Sequence, residues 1–138
     1  MPTQSHHAAT ALPCLVIEDD ITDQKMVRRA FSGARVPAEL VFVETISEAR
    51  RALTQKRFSM VLCDNGLPDG CGSQFAQELT AHPEMDGTHV VIVSGWPSPF
   101  MWSKARRAGL QVIDKNDNAM RKLRDLFRDH FAKRRTAA

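Results

Sequence analysis

The feature that most constrains the fold of this 138-residue chain is the regular alternation of short apolar runs with segments of helical spacing. Most of the runs are rich in Val and Ile and nearly continuous, which is typical of strands that are covered on both faces. Five such alternations predict an α/β fold, an open parallel sheet with helices on both faces and right-handed crossovers. The runs are Leu12–Ile17, Leu40–Val43, Phe58–Cys63, His89–Val93 and Leu110–Ile113.

The segments between the runs carry signals for the start, the end and the buried face of each helix. Gly33 is a stop signal for the first helix. Thr45, with Glu48 three residues later, forms a capping box at the start of the second helix, and Pro83 follows the end of the third. The fourth helix, within Ser98–Ala108, has the weakest pattern. The predicted buried positions are Val27, Ala30 and Phe31, then Ile46, Ala49 and Leu53, then Phe75, Ala76 and Leu79, and last Met120, Leu123, Phe127, His130 and Phe131.

Composition limits the chain to about one ordinary domain. Apolar residues make up 43% of it, which is enough for a single core. We expect a disordered leader at 1–11, a domain at 12–132 and a flexible basic tail at 133–138. No apolar run approaches the roughly 20 residues that span a bilayer. The three cysteines have unrelated spacings and form neither a disulfide framework nor a zinc pattern, which favours a reduced, cytoplasmic protein.

Positive charge is concentrated at the C-terminal end of the chain. Residues 104–138 contain 11 Lys and Arg against 4 Asp and Glu, whereas residues 1–103 contain 8 against 12. A basic segment can bind nucleic acid or an acidic partner, but it is more often the solvated face of a terminal helix. We therefore do not expect a nucleic-acid partner.

Polar and charged residues directly follow four of the predicted strands. In open parallel sheets, ligands bind outside the carboxyl ends of the strands, so these residues form one rim. Crowded carboxylates repel one another unless a cation joins them, and oxygen-only ligands favour Mg²⁺ over Zn²⁺. Phosphate is the usual anionic partner of Mg²⁺, and a lysine and a hydroxyl would contact its oxygens. The four segments are Glu18-Asp19-Asp20, Asp64-Asn65-Gly66, Ser94-Gly95 and Asp114-Lys115.

From about Leu12 to Phe131, the order and spacing of these motifs resemble the receiver domains of bacterial two-component response regulators, the CheY-like family. Each motif alone is a weak signal, but four of them in the family's order are specific. The resemblance implies a flavodoxin-like (βα)5 fold, a doubly wound five-stranded parallel sheet with strand order 2-1-3-4-5. The matching residues are Leu15-Val16-Ile17-Glu18-Asp19-Asp20, Val61-Leu62-Cys63-Asp64, Leu67-Pro68-Asp69-Gly70, Ser94 and Lys115.

The resemblance implies a metal site on the rim. Asp19 and Asp64 would bind Mg²⁺ directly, together with the backbone carbonyl of Gly66. Glu18 would act through a water molecule, and Mn²⁺ can substitute for Mg²⁺ in this expectation.

The resemblance also implies that Asp64 accepts a phosphoryl group as an acyl phosphate. Lys115 would neutralise one phosphoryl oxygen and Ser94 would hydrogen-bond another.

Two positions depart from the family pattern. Val112 lies three residues before the lysine, where the family usually has Tyr or Phe, and Asn116 follows the lysine, where Pro is common. We expect the phosphorylation chemistry to survive both changes.

Three aromatic residues, Trp96, Phe100 and Trp102, lie close together at the predicted start of the fourth helix. Together with Ser94 and Val112 they form the expected switch and partner surface. The alternative is that the rings pack inward and support a poorly patterned helix. The resemblance also suggests a role for Trp96, since it lies two residues after Ser94, where members of the family tune dephosphorylation. Our hypothesis is that its indole screens the acyl phosphate from water.

The leading interpretation is a stand-alone response regulator, a signalling switch that catalyses only its own phosphorylation and dephosphorylation and is not otherwise an enzyme. A sensor histidine kinase or a histidine phosphotransfer protein would donate the phosphoryl group, and an unidentified protein target would bind one of the two states. We expect a monomer or weak dimer without membrane contact.

Three alternatives to this interpretation remain open. The chain could be a docking module of the same fold that is never phosphorylated. It could be a small aspartyl-phosphate hydrolase of the haloacid dehalogenase type, which has a second Asp where Gly66 stands. It could also be a basic adaptor that binds nucleic acid through its last helix.

Overall fold

The five apolar runs form one parallel sheet in the computed structural model, which describes residues 12–95 and 99–137, with the side chains of 99–101 and 133–137 outside the description. The strands are β1 (Cys14–Ile17), β2 (Leu40–Val43), β3 (Met60–Asp64), β4 (His89–Ser94) and β5 (Gln111–Asp114). Their order across the sheet is β2-β1-β3-β4-β5, and all neighbouring strands are parallel. This is the order 2-1-3-4-5, so the expected flavodoxin-like fold is confirmed.

Five α-helices follow the strands in the described part of the chain. They are α1 (Ile21–Ala34), α2 (Ile46–Gln55), α3 (Gly72–Thr80), α4 (Pro99–Arg107) and α5 (Ala119–Ala137). Within the described part of the chain, no helix is both long enough and apolar enough to cross a membrane. The backbone of 133–137 continues α5, where the sequence predicted a flexible tail. The predicted leader at 1–11 lies outside the described residues.

Two apolar layers, one on each face of the sheet, form the core. Side chains alternate along each strand, so Leu15 and Ile17 of β1 join the layer beneath α2, α3 and α4. Cys14 and Val16 of the same strand join the layer beneath α1 and α5. Both faces of β1 are therefore covered, as its continuous apolar run predicted.

The end of α1 and the start of α5 differ from the sequence expectation. Gly33 lies inside α1, and Arg35, with a φ of 52°, caps the helix instead. Gly33 faces α5, where a Cβ would lie 3.4 Å from Cδ of Arg124, an ordinary contact distance. Met120, which was expected to be buried, is 37% exposed, and Ala119 takes the buried position. The buried stripe of α5 recurs every four residues from Ala119, which leaves Met120 on the outside.

The start of α2 is held by side chains from two parts of the chain. Oγ1 of Thr45 accepts a hydrogen bond from the backbone N of Glu48 at 3.0 Å, which confirms half of the capping box. The Glu48 carboxylate reaches the backbone N of Glu44, not that of Thr45, at 2.7 Å. The carboxylate of Asp69, from the loop after β3, accepts hydrogen bonds from the first two backbone N–H groups of the helix, at 2.8 and 3.0 Å. That loop is therefore fastened to α2.

We expect Asp69→Asn to lower the melting temperature by a few degrees at pH 7, because the amide has one uncharged acceptor oxygen where the carboxylate offers two charged ones to these N–H groups. The hydrogen bonds from the start of α2 hold the pKa of Asp69 below its usual value. The stabilisation is therefore complete above about pH 4 and is lost as the pH falls through the lower folded-state pKa. Thermal melts of the wild type and Asp69→Asn from pH 7 to about pH 3 measure the difference in melting temperature. Asp86→Asn is the control, because it removes an exposed carboxylate elsewhere. A wild-type advantage that stayed constant over this range would contradict the prediction.

Candidate functional site

The carboxyl ends of β1 and β3 bring three acidic side chains together. These strands pair in register, with Ile17 opposite Cys63, so the residues that follow, Glu18 and Asp64, lie side by side. Carboxylate oxygens of Glu18, Asp19 and Asp64 all lie within 4.8 Å of one another. Glu18 is buried, Asp64 is half-buried and Asp19 is exposed. Three oxygen donors at this spacing fit a hard cation such as Mg²⁺.

The ammonium group of Lys115 lies among these acids. Its Nζ donates hydrogen bonds to Oδ2 of Asp23 at 2.6 Å and to Oδ1 of Asp64 at 2.8 Å. The third hydrogen bond runs to Oε1 of Glu18 at 2.9 Å. An ammonium group has three N–H donors, so carboxylates accept all of them. The structure therefore brings together Glu18, Asp64 and Lys115, as the resemblance implied.

Asp23 is the member of this cluster that the sequence analysis missed. It lies in the first turn of α1, where an acidic residue usually serves only to complement the helix dipole. The sequence gives only a weak indication that Asp23 belongs to the site: it lies three residues after Asp20, at the helix end that faces the rim. Its partner Lys115 is 92 residues away in sequence and gives no local signal.

Burial and charge act against each other in this cluster. The pKa of Glu18 lies above its usual value, because burial raises it by more than the hydrogen bond from Lys115 lowers it. Burial alone would lower the pKa of Lys115, but the hydrogen bonds to its three carboxylate partners hold that pKa above its usual value. Lys115 therefore stays protonated, and with Asp19 included the cluster holds four acidic side chains and one ammonium group. A divalent cation would offset the surplus negative charge.

β4 and β5 bring the remaining predicted residues to the same edge of the sheet. Ser94 is the last residue of β4, is 4% exposed and pairs with Asp114. The backbone N of Lys115 donates to the carbonyl oxygen of Ser94 at 2.8 Å. Asn116, in place of the family's common Pro, donates from Nδ2 to the carbonyl oxygen of Gly95 at 2.6 Å. The loops after β4 and β5 are therefore joined by the side chain that departs from the family pattern.

The loop after β3 contains a small antiparallel hairpin, Gly66–Leu67 with Gly70–Cys71, which the sequence analysis did not predict. Gly66, whose carbonyl was expected at the metal site, is exposed. Behind the hairpin, Gly72 approaches the end of β3 closely, because a Cβ there would lie 1.8 Å from the backbone oxygen of Asp64. The close approach fixes the backbone that carries the Asp64 carboxylate.

The predicted switch and partner surface is only partly described. Val112 is 9% exposed and packs in the core layer beneath α2, α3 and α4, so it does not contribute to a surface. The alternation of side chains along β5 turns it toward that layer. Trp102 is half-buried against the same layer, as the inward-packing alternative expected. Trp96 and the side chain of Phe100 lie outside the described residues, so the screening role of Trp96 stays a prediction.

The family model that describes the response regulator receiver domain matches residues 14–128. The chain belongs to the response regulator receiver domain family. No curated protein matches this sequence significantly.

Solved structures of response regulators share the fold of this receiver. A CheY-like receiver domain protein from Methanospirillum hungatei JF-1 has a TM-score of 0.75 and 20% identity, over 94% of this chain and 100% of that chain. The phosphorylated cyanobacterial phytochrome response regulator RcpA has a TM-score of 0.73 and 22% identity, over 87% of this chain and 91% of that chain. The Mn²⁺-bound form of the response regulator Rcp1 has a TM-score of 0.72 and 17% identity, over 86% of this chain and 90% of that chain. At these identities the likeness shows the fold alone.

We expect Gly72→Ala to lower the free energy of unfolding by about 3 kcal/mol, because the backbone of Asp64 must move to admit the added methyl group. Gly66→Ala is the matched control, since a Cβ at Gly66 would meet nothing within 4 Å. Its effect should stay within about 0.5 kcal/mol. Urea titrations followed by circular dichroism measure both variants. Equal stabilities would show that the loop does not approach Asp64 as closely as described.

Proposed function

We propose that Asp64 is a phosphoacceptor, which takes a phosphoryl group from a phosphohistidine donor in a reaction that depends on Mg²⁺. The hydrogen bond between Nζ of Lys115 and Oδ1 of Asp64, at 2.8 Å, carries this proposal. It brings a fixed positive charge to the carboxylate that would hold the phosphoryl group. The Asp64 side chain is 11% exposed, which leaves it accessible to a donor.

The proposed transfer needs little covalent help from the protein. A carboxylate oxygen of Asp64 forms the new O–P bond while the P–N bond of the phosphohistidine breaks. The imidazole leaves with the electron pair of that bond and takes a proton from solvent. Such transfers depend mainly on positioning and on neutralisation of charge. Lys115 would supply positive charge to one phosphoryl oxygen, and the hydroxyl of Ser94 would donate a hydrogen bond to another.

Glu18, Asp19 and Asp64 fit Mg²⁺ or Mn²⁺, because their oxygens lie within 4.8 Å of one another and the donor set contains only oxygen. In this proposal Asp19 and Asp64 bind the ion directly, the carbonyl of Gly66 is a further ligand, and Glu18 acts through water. The bound cation would offset the negative charge of the incoming phosphoryl group. The Mn²⁺-bound form of Rcp1 supports this assignment by analogy of fold.

The proposed donor is a sensor histidine kinase or a histidine phosphotransfer protein, and the proposed target is a protein that binds one phosphorylation state. Under this proposal the chain acts in cytoplasmic two-component signalling and has no other enzymatic activity. A haloacid dehalogenase-type hydrolase would require a second Asp at the position of Gly66, so the sequence argues against that alternative.

We expect the intact mass of the wild-type protein to rise by one phosphoryl group after incubation with acetyl phosphate and Mg²⁺. Asp64→Asn should show no increase, because its amide oxygen cannot form a stable acyl phosphate. Asp69→Asn is the matched control, since it removes a carboxylate from the same loop and should leave the modification intact.

One result would contradict the proposed dependence on Mg²⁺, namely an increase in mass that occurs when divalent cations are chelated before acetyl phosphate is added. Two results would contradict the phosphoacceptor role of Asp64. The increase in mass could persist in Asp64→Asn, or it could be absent from the wild-type protein. The last result would favour a docking module that uses the receiver fold without phosphorylation.

A further inference from the structure

We propose that Asp23 is a positioning residue that holds the ammonium group of Lys115 at the phosphoryl site. This inference rests on the function proposed above and gives α1 a part in it. Among the three carboxylates that accept hydrogen bonds from Lys115, Asp23 lies at the shortest distance, 2.6 Å. It is also outside the group of described acids that can hold a cation.

Glu18 and Asp64, the other two partners of Lys115, each have a second role in the proposed reaction. Both belong to the candidate cation site, and Asp64 also receives the phosphoryl group. Their oxygens therefore cannot accept the same hydrogen bonds from Lys115 throughout the reaction. Asp23 has no second role, so its hydrogen bond keeps the ammonium beside Asp64 while the other two N–H groups turn to phosphoryl oxygens.

The position of Asp23 is itself fixed by the start of α1. Its backbone N donates to Oδ2 of the N-cap residue Asp20 at 2.9 Å. Nε2 of Gln24 donates to the carbonyl oxygen of Glu18 at 2.8 Å, which fastens the same turn to the end of β1. Lys115, by contrast, lies in the loop after β5 and carries its charge on a flexible four-carbon stem. Asp23 therefore gives the free end of that stem a fixed attachment.

Three variants separate the hydrogen bond from charge and from the size of the side chain. Asp23→Leu keeps the branched shape but accepts no hydrogen bond, whereas Asp23→Asn keeps an acceptor oxygen and loses the charge. Thr22→Leu is the matched control, because it places the same leucine at an exposed position in the same turn. Asp23→Ala replaces Asp23→Leu if circular dichroism shows that the leucine disturbs the fold.

The first readout is the rate of phosphorylation by acetyl phosphate at saturating Mg²⁺. Asp23→Leu should slow it about tenfold, the loss expected for one hydrogen bond between charged groups. Asp23→Asn should stay within about threefold of the wild-type rate, and Thr22→Leu should match it. The second readout requires no metal. Acetic anhydride should label Lys115 several-fold faster in metal-free Asp23→Leu than in the wild-type protein, as measured by peptide mass spectrometry.

The outcomes distinguish this inference from the proposed function. If folded Asp23→Leu keeps both the wild-type rate and the wild-type reactivity of Lys115, the positioning role is overturned and the phosphoacceptor role of Asp64 stands. Equal slowing in Asp23→Leu and Asp23→Asn would also overturn it, because hydrogen-bond acceptance would not be the cause. A wild-type protein that gains no phosphoryl group would overturn the proposed function and this inference with it.

Discussion

Three carboxylates from separate segments share the ammonium group of Lys115, and the arrangement of the site depends on that interaction. Glu18 follows β1, Asp23 lies in α1 and Asp64 ends β3, while the lysine itself follows β5. One side chain therefore connects four parts of the chain at the carboxyl edge of the sheet. Without it, the buried charge of Glu18 would lie beside Asp64 with no compensating ammonium, and uncompensated buried charges are strongly destabilising.

The same cluster accounts for the chemistry that the site can perform. One ammonium group does not neutralise the acids around it, and Asp19 adds a further exposed carboxylate. A site with surplus negative charge and one fixed positive charge is suited to a divalent cation and a phosphoryl group bound together. The backbone bond from Lys115 to Ser94 and the side-chain bond from Asn116 to Gly95 hold the neighbouring loops in place.

The sequence predicted the sheet and most of the site, and physical reasons explain the rest. Continuous apolar runs show that strands are covered on both faces, but they do not show which strands are neighbours, so the strand order depended on the family resemblance. Gly33 was interpreted as a helix stop because glycine is common there, whereas α1 runs on to Ala34 and ends at Arg35, which adopts the left-handed conformation. Asp23 was missed because its partner Lys115 lies 92 residues away, and such contacts leave no local pattern.

Titration of the metal-free protein with Mg²⁺ by isothermal calorimetry tests most directly whether the acidic cluster around Lys115 is a cation site. The account predicts one Mg²⁺ bound per chain and a marked loss of affinity in Asp19→Asn. Asp20→Asn is the matched control, because it removes the neighbouring charge and keeps an acceptor for the N-cap hydrogen bond. Failure of the wild-type protein to bind at millimolar Mg²⁺, or equal affinities in the wild type and Asp19→Asn, would contradict the account.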